Sequence, residues 1–122
     1  MSSTDQSTTN ATDSTLKTTN AYKIALLAGD AIGPEIMTQA VRVLDLLTKH
    51  RDVDFELLEA PFGAGAYFSH GKAFPDEAKQ ACDAADAILK GPVGLSHAES
   101  QKIPVEEQAE RGAILPLRAR YN

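Results

Sequence analysis

The sequence predicts an α/β fold built on an open parallel sheet, with elements in the order βαβαβα. Short apolar runs the length of strands alternate with longer amphipathic stretches, and parallel strands require crossover connections of this kind. Each apolar run is followed by a segment that contains glycine or proline and therefore indicates a turn. Three strands form a thin sheet, and the last predicted helix reaches Asn122. We therefore expect residues 22–122 to be part of a larger domain.

The first strand and the first helix are predicted from the segment after residue 21. Residues 22–28 are largely apolar and end at Gly29-Asp30, which indicates a buried strand followed by a turn. Gly33-Pro34-Glu35 predicts a helix start, because proline fits the first helical position and an acid complements the helix dipole. The helix is expected to continue to about His50. Its predicted apolar face comprises Ile36, Ala40, Val43, Leu44 and Leu47.

The middle of the chain predicts a second strand and a second helix. Residues 53–59 alternate apolar with acidic side chains, which is typical of a strand. Pro61 and the cluster Gly63-Ala64-Gly65 interrupt that pattern and predict a loop. The second helix is predicted to open at Pro75-Asp76-Glu77. Its buried side is predicted to carry Ala78, Ala81, Cys82 and Ala85.

The last quarter predicts a short third strand and a further helix. Residues 87–89 form the strand, which ends at a glycine-bounded loop over residues 91–94. A helix is predicted to begin near Pro104, with Gly112 as an interruption. Pro116 is compatible with helix only where a new helix starts near it, because proline lacks an N–H group.

Composition excludes several classes of function. The 122 residues carry a formal net charge of −5 and show no basic cluster, so a nucleic-acid partner is not expected. No apolar run approaches the roughly 20 residues that span a bilayer. A single cysteine, Cys82, excludes an internal disulfide and fits a reducing compartment. His50, His70 and His97 lack the spacing of metal ligands.

The N-terminal residues 1–21 are rich in Ser, Thr, Asn and Asp. They lack the basic start and apolar stretch of a secretory signal, and they contain acids but no Arg, unlike a mitochondrial transit peptide. We expect a disordered, solvated tail on a cytoplasmic protein.

Two loops are candidate ligand sites because each follows a strand at the carboxyl edge of the sheet, where open α/β folds bind ligands. The first spans Gly29 to Glu35 and the second Lys90 to Gly94. Their glycines let the backbone approach a ligand closely. Neither loop carries the spacing of a dinucleotide fingerprint or a P-loop. Pattern alone also fits two ordinary strand-to-helix turns.

The third candidate is Arg118, which lies in the segment Leu115-Pro116-Leu117-Arg118. An arginine on an apolar helix can hold a carboxylate through two parallel hydrogen bonds. It can equally be a solvated residue whose stem packs on apolar surface.

Together these segments resemble one family. Residues 23–37 (Lys-Ile-Ala-Leu-Leu-Ala-Gly-Asp-Ala-Ile-Gly-Pro-Glu-Ile-Met) resemble the opening strand, loop and helix of isopropylmalate and isocitrate dehydrogenases. Residues 86–94 resemble the strand and loop that line their cofactor cleft. Residues 115–118 resemble the Leu-x-Leu-Arg segment that precedes their Ala-Asn-Leu-Arg-Pro motif. Order and spacing agree across residues 22–122.

The resemblance implies an oxidoreductase that oxidises and decarboxylates a 3-substituted malate with NAD, or alternatively NADP, and with Mg2+ or Mn2+. It implies a homodimeric full-length protein, and Arg118 as a partner of a substrate carboxylate. Ile114 matches a position that meets the C3 substituent, and the absence of a hydroxyl between Gly112 and Leu117 favours 3-isopropylmalate, a leucine-biosynthesis intermediate, over isocitrate. The implied cofactor-binding residues are Gly29, Asp30, Ile32, Gly33, Pro34, Glu35, Gly91, Pro92, Val93 and Gly94.

Three departures from the family pattern matter. Ala31 stands where the family usually has glycine, and the stretch from Gly112 to Arg118 is one residue longer than is typical of isopropylmalate enzymes. The chain also stops before the second substrate Arg, the catalytic Tyr and Lys, and the metal-binding Asp residues. We therefore expect the chain alone to be inactive. The alternatives are a non-catalytic binding module and an unrelated flavodoxin-like binding domain.

Overall fold

Strands and helices alternate in a computed structural model of the chain, which describes residues 20–121. The elements in chain order are β1 (Asn20–Leu27), α1 (Gly33–His50), β2 (Val53–Glu59), α2 (Ala64–His70), α3 (Asp76–Ala84), β3 (Ala87–Lys90), α4 (His97–Ser100), a 3-10 turn (Val105–Glu107), a π-helical segment (Ala109–Ile114) and α5 (Leu115–Tyr121). Residues 1–19, which hold most of the predicted disordered tail, lie outside the described residues. Asn20 and Ala21, which were predicted to be tail, begin β1 because they pair with the first residues of β2.

The sheet is parallel, with strand order β2-β1-β3, which confirms the predicted open α/β architecture. Ile24 on β1 is opposite Leu57 on β2 and Ala87 on β3, so β1 is central and is covered on both edges. This position explains why the end of β1 is the most deeply buried strand segment, since Leu26 and Leu27 are 3% and 0% exposed. α1 connects β1 to β2, and α2 and α3 connect β2 to β3 on the far side of β1, as parallel pairing requires.

The core lies under β1 and is closed by α3 and α5. Phe62 and Phe74 meet edge to face, with ring centroids 5.4 Å apart. Cys82 on α3 and Leu117 on α5 pack into the same cluster, so the sequence-based placement of Cys82 in the core is confirmed. Burial raises the pKa of the Cys82 thiol, and the neighbouring Asp83 carboxylate raises it further.

The predicted apolar face of α1 is only partly covered. Met37 is buried, whereas Ile36, Val43 and Leu47 are exposed by 47%, 56% and 39%. The helix packs on the sheet through β2, and within the described residues no second element covers its other apolar side. The predicted amphipathic helix therefore forms and ends at His50, and part of its apolar face stays exposed.

Two short helices, α2 and α4, were not predicted. α2 occupies the segment that Gly63 and Gly65 led us to assign to a loop. Its Gly63 cap provides no side-chain hydrogen bond. The first N–H groups of α2 are satisfied instead by a carboxylate from the loop after β1. A cap that comes from a distant segment leaves no local signal in the sequence.

The segment before α5 is π-helical. The N–H of Leu115 donates to the carbonyl oxygen of Glu110, five residues back, so the turn holds one more residue than an α-helical turn. A Cβ on Gly112 would lie 2.6 Å from the backbone of Glu107, which makes this glycine a point of close packing rather than a helix break. Pro116 is the second residue of α5, where no N–H is needed, as predicted.

A polar clamp fixes the end of α5 to α3. The guanidinium of Arg120 donates to both carboxylate oxygens of Asp83, through Nε at 3.1 Å and through Nη2 at 2.6 Å. The Tyr121 hydroxyl donates to the same carboxylate. The hydrogen bond from Arg120, followed by the one from Tyr121, lowers the pKa of Asp83 from its ordinary value of 3.8 to about 2.

The clamp should make stability depend on pH in a narrow acidic window. Because the folded-state pKa of Asp83 is depressed, its contribution is complete above the unfolded value of 3.8 and is lost as pH falls through about 2. Urea midpoints of the wild type and of Asp83→Asn should converge as pH falls through this window, because the other carboxylates titrate in both proteins. A difference between the two midpoints that is constant with pH would contradict the assignment.

Candidate functional site

The loops that follow β1 and β3 lie side by side at the carboxyl edge of the sheet, as the parallel fold predicted. The N–H of Asp30 donates to the carbonyl oxygen of Pro92 at 2.9 Å, and the N–H of Gly91 donates to that of Leu27 at 2.8 Å. The first hydrogen bond joins the two predicted cofactor loops, and the second joins the loop after β3 to the end of β1. The two candidate segments therefore form one continuous surface.

Three glycines allow this close approach of backbone to backbone. A Cβ on Gly33 would lie 2.0 Å from the carbonyl oxygen of Ala28, and one on Gly91 would lie 2.1 Å from the same atom. A Cβ on Gly29 would lie 2.1 Å from the carbonyl oxygen of Pro92. The sequence had indicated glycines for close approach to a ligand. The structure shows that these three glycines are needed for close backbone contacts within and between the two loops.

The carboxylate of Asp30 joins a third segment to the two loops. It is buried, with 6% of the residue exposed. Oδ2 accepts from the N–H groups of Ala64 and Gly94, both at 2.8 Å, and Oδ1 accepts from that of Gly65 at 2.7 Å. A Cβ on Gly63 or Gly65 would approach these oxygens to 2.7 and 2.9 Å. The carboxylate thus faces the protein interior.

Other predicted cofactor residues face outward. Ile32 is 54% exposed, and Pro34 and Glu35 at the start of α1 are also exposed. In the second loop Pro92 is exposed and Val93 is half-buried. The N-cap position of α1 has no side-chain hydrogen bond. An apolar side chain and an uncapped helix start therefore lie together at the outer rim of the two loops.

Ala31 has a left-handed backbone conformation, with φ of 53°. This is the position where the family usually has glycine, and glycine alone adopts such a conformation without a steric cost. The chain therefore keeps the loop geometry despite the alanine, at a local cost in strain.

Replacing Ala31 with glycine should stabilise the chain by about 0.5–1 kcal/mol, because relief of left-handed strain exceeds the added entropy of the unfolded state. The matched control is Ala40→Gly in α1, where the same replacement should destabilise by about 1 kcal/mol. Chemical unfolding of both variants checks the prediction. Destabilisation by both changes to a similar extent would contradict it.

A second cleft, of about 400 Å³, lies beside the end of β3. Arg118 and Lys90 both line it, and the Lys90 ammonium donates to the carbonyl oxygen of Gly91 at 3.0 Å. Arg118 is exposed. The sequence had singled out Arg118 but had not placed Lys90 next to it. The apolar part of the lining consists of Ile88, Leu117 and Tyr121.

Ile114 and Leu115 precede Arg118 by about one helical turn. Ile114 is half-buried at the end of the π-helical segment, whereas Leu115, the first residue of α5, is 50% exposed. The extra residue in this stretch is thus accompanied by a wider helical turn directly before Arg118. Sequence reasoning named Ile114 alone, and the structure adds Leu115 as the more accessible neighbour.

A further cavity, of about 700 Å³, was not predicted. It is an open groove between α1 and the end of β2, lined by Met37, Val41 and Pro61 among others. Pro34 also lines this groove, and the groove therefore adjoins the first loop. Within residues 20–121 no group of three or more His, Cys, Asp or Glu side chains could hold a metal ion.

A matched pair of variants separates two effects on stability: the steric contact at a closely packed glycine and the strain of a positive φ. Gly91→Ala places a Cβ against the Ala28 carbonyl and should destabilise by about 2–3 kcal/mol, as overpacking does. Gly71→Ala meets only open space at φ of 80° and should cost about 1 kcal/mol from strain. Thermal and urea unfolding distinguish the two. A larger loss from Gly71→Ala would contradict the steric explanation.

The open parallel α/β sheet agrees with the family that the comparisons with known proteins show. The sequence model of the isocitrate/isopropylmalate dehydrogenase family matches residues 23–122, so the chain belongs to this family. Membership excludes the unrelated flavodoxin-like domain. In the part of the chain that the structure describes, no helix is long and apolar enough to cross a membrane.

Several relatives bear the name 3-isopropylmalate dehydrogenase. The enzyme of Geobacter sulfurreducens is 50% identical over 97 residues, which are 80% of this chain and 26% of that enzyme. The Vibrio parahaemolyticus enzyme is 43% identical over 104 residues, or 85% of this chain and 28% of that enzyme. The Campylobacter jejuni enzyme is 38% identical over 102 residues, or 84% and 28%. The chain thus spans about a quarter of the length of these relatives.

Proposed function

We propose that this chain is the N-terminal portion of an oxidoreductase that oxidises and decarboxylates a 3-substituted malate, with 3-isopropylmalate favoured. The observation that carries the proposal is the pair of glycine loops at the carboxyl edge of the sheet, next to a cleft lined by Arg118 and Lys90. The names of the relatives support the same reaction.

The cofactor in this proposal is NAD, with NADP as the alternative. When bound, it accepts a hydride from the malate. The exposed residues of the two loops, Ile32, Pro34, Glu35, Pro92 and Val93, would contact it, because they alone among the predicted residues present side chains at the outer rim. The exposed apolar surface of Ile32 suits a flat ring, and the uncapped start of α1 suits a neighbouring polar group.

The family implies Mg2+ or Mn2+, whose preferred ligands are carboxylate oxygens. The described residues bring no group of such ligands together, so they do not fit a metal ion. In our proposal this chain contributes to binding and orientation, and the metal ligands belong to the remaining three quarters of the enzyme. No step assigned to this chain depends on the metal.

The substrate side of the proposal rests on the positive charge of one cleft and on two apolar side chains about one helical turn before Arg118. Arg118 would hold a malate carboxylate through its planar guanidinium, and the ammonium of Lys90 lines the same cleft. Ile114 and Leu115 would meet the C3 substituent. Both are apolar, and an unpaired third carboxylate beside them would cost several kcal/mol. This favours an isopropyl group over the carboxymethyl group of isocitrate.

The proposed partners are a small-molecule substrate and a second copy of the full-length protein in a homodimer, with neither nucleic acid nor membrane. The net charge of −5 supports the exclusion of nucleic acid. The proposed location is the cytoplasm, which the single unpaired cysteine supports.

The activity can be tested by a chimaera in which residues 23–122 replace the matching quarter of the Geobacter sulfurreducens enzyme. We expect the isolated chain to form no NADH with any 3-substituted malate and Mg2+, and the chimaera to form NADH with 3-isopropylmalate. A chimaera that is folded but inactive, or that prefers isocitrate by kcat/KM, would contradict the proposal.

Arg118 gives the sharpest single-residue test in the chimaera. Arg118→Ala should lose about 2–4 kcal/mol in kcat/KM, because a substrate carboxylate would enter the site without its partner. Arg118→Lys should retain part of the activity, because the ammonium keeps the positive charge but cannot form the two parallel hydrogen bonds of the guanidinium. The control is Arg51→Ala, since Arg51 is an exposed arginine just before β2, at the opposite edge of the sheet. Equal kcat/KM for the Arg51 and Arg118 variants would reject the assigned role.

The alternative function is a non-catalytic fragment or pseudoenzyme that acts as a small binding module. It is favoured by the lack of a metal-ligand group among the described residues. It predicts that the isolated chain binds NAD while the chimaera shows no turnover.

A further inference from the structure

We infer that Asp30 is a positioning residue: its buried carboxylate holds the loops after β1 and β3 and the start of α2 in one arrangement, and so shapes the cofactor side of the cleft. The effect on the cofactor rests on the proposed function. The arrangement of the three segments does not, since it follows from contacts within the chain.

Asp30 makes two hydrogen bonds to the second loop. Its N–H donates to the carbonyl oxygen of Pro92 at 2.9 Å, and its Oδ2 accepts from the N–H of Gly94 at 2.8 Å. The short segment between these points carries Val93. One residue of the first loop therefore fixes the path of the second, and the two cannot shift independently.

The same carboxylate caps α2. Ala64 and Gly65 are the first two residues of that helix, and both donate their N–H groups to Asp30. An ionised carboxylate is an acceptor only, so it can receive three converging N–H groups, whereas a neutral amide would present a donor to at least one of them. Hydrogen bonds to an ionised acceptor are also shorter and stronger than neutral ones.

Burial makes this arrangement costly to disturb. Asp30 is 6% exposed, and no Lys or Arg side chain within the described residues pairs with it. Backbone N–H groups, two of them at a helix start, compensate its charge. Gly63 and Gly65 supply independent support, because a Cβ at either position would collide with the carboxylate oxygens.

These contacts argue against Asp30 as a direct cofactor ligand, which the family resemblance had implied. Both oxygens already accept backbone hydrogen bonds, and with only 6% of the residue exposed a ligand hydroxyl has little access to them. Asp30 acts instead by positioning Ile32 and Val93. Ile32 lies two residues after Asp30, and Val93 lies in the second loop, which Asp30 holds in place. Both are predicted cofactor contacts.

The first experiment uses the chain itself and does not depend on any activity. Amide hydrogen exchange of Ala64, Gly65 and Gly94 should accelerate together in Asp30→Ala, by about tenfold or more, because each amide loses its carboxylate acceptor. The control is Asp86→Ala, which removes a carboxylate that accepts a single backbone N–H, from Lys23 at 2.8 Å. That variant should leave the three amides unchanged. Acceleration of only one of them would overturn the inference.

A wild-type measurement keeps the test valid if Asp30→Ala fails to fold. Through-hydrogen-bond scalar couplings should link the carboxyl carbon of Asp30 to the amide nitrogens of Ala64, Gly65 and Gly94. Couplings from all three support the shared acceptor, and couplings to a different carboxylate would overturn it.

The second experiment asks whether position controls cofactor binding. In the chimaera, Asp30→Asn should raise the dissociation constant of NAD by about tenfold or more while the KM for 3-isopropylmalate changes less, since Arg118 lies outside the clamp. A purely structural role would lower the melting temperature and leave the NAD dissociation constant of the folded protein within about twofold. That outcome would overturn the inference. A parent chimaera that binds no NAD would instead reject the proposed function, and the exchange experiment would still stand.

Discussion

Two glycines pack closely against the carbonyl oxygen of Ala28, and the candidate site depends on this contact. Gly33 and Gly91 approach it from two sides, so closely that a Cβ on either would lie about 2 Å away. This contact brings the start of α1 and the loop after β3 against the end of the central strand. The Asp30 carboxylate then accepts three N–H groups, two from the start of α2 and one from the loop after β3. Packing and hydrogen bonding thus fix the same geometry independently.

Much of the fold could be predicted because its signals are local. The limits of α1 and β2 and the parallel order of the strands follow from proline at a helix start and from the apolar period. α2 was missed because its cap comes from Asp30, 34 residues earlier in the chain. The apolar pattern of α1 likewise shows that a face can be buried, but not which of its residues another element of this chain covers.

The site was predicted in outline and not in detail. Topology alone placed the two loops together, because strands of a parallel sheet end at one edge. The different roles of the individual residues could be assigned only from the structure. Glycines assigned to ligand approach serve contacts between loops, and Asp30 faces inward while Ile32 faces outward. Lys90 joined Arg118 only through the packing of α5 beside β3, a contact between residues far apart in sequence.

The π-helical segment before α5 gives this chain a place where its length can change. A turn closed five residues back contains one residue more than an α-helical turn. A deletion there would restore ordinary helix, and the clamp from Arg120 to Asp83 would still anchor the far end of α5. Arg118 could therefore keep its position while the side chains one turn before it, Ile114 and Leu115, are shifted. Insertions and deletions, and not only substitutions, thus offer a route to change the surface next to Arg118.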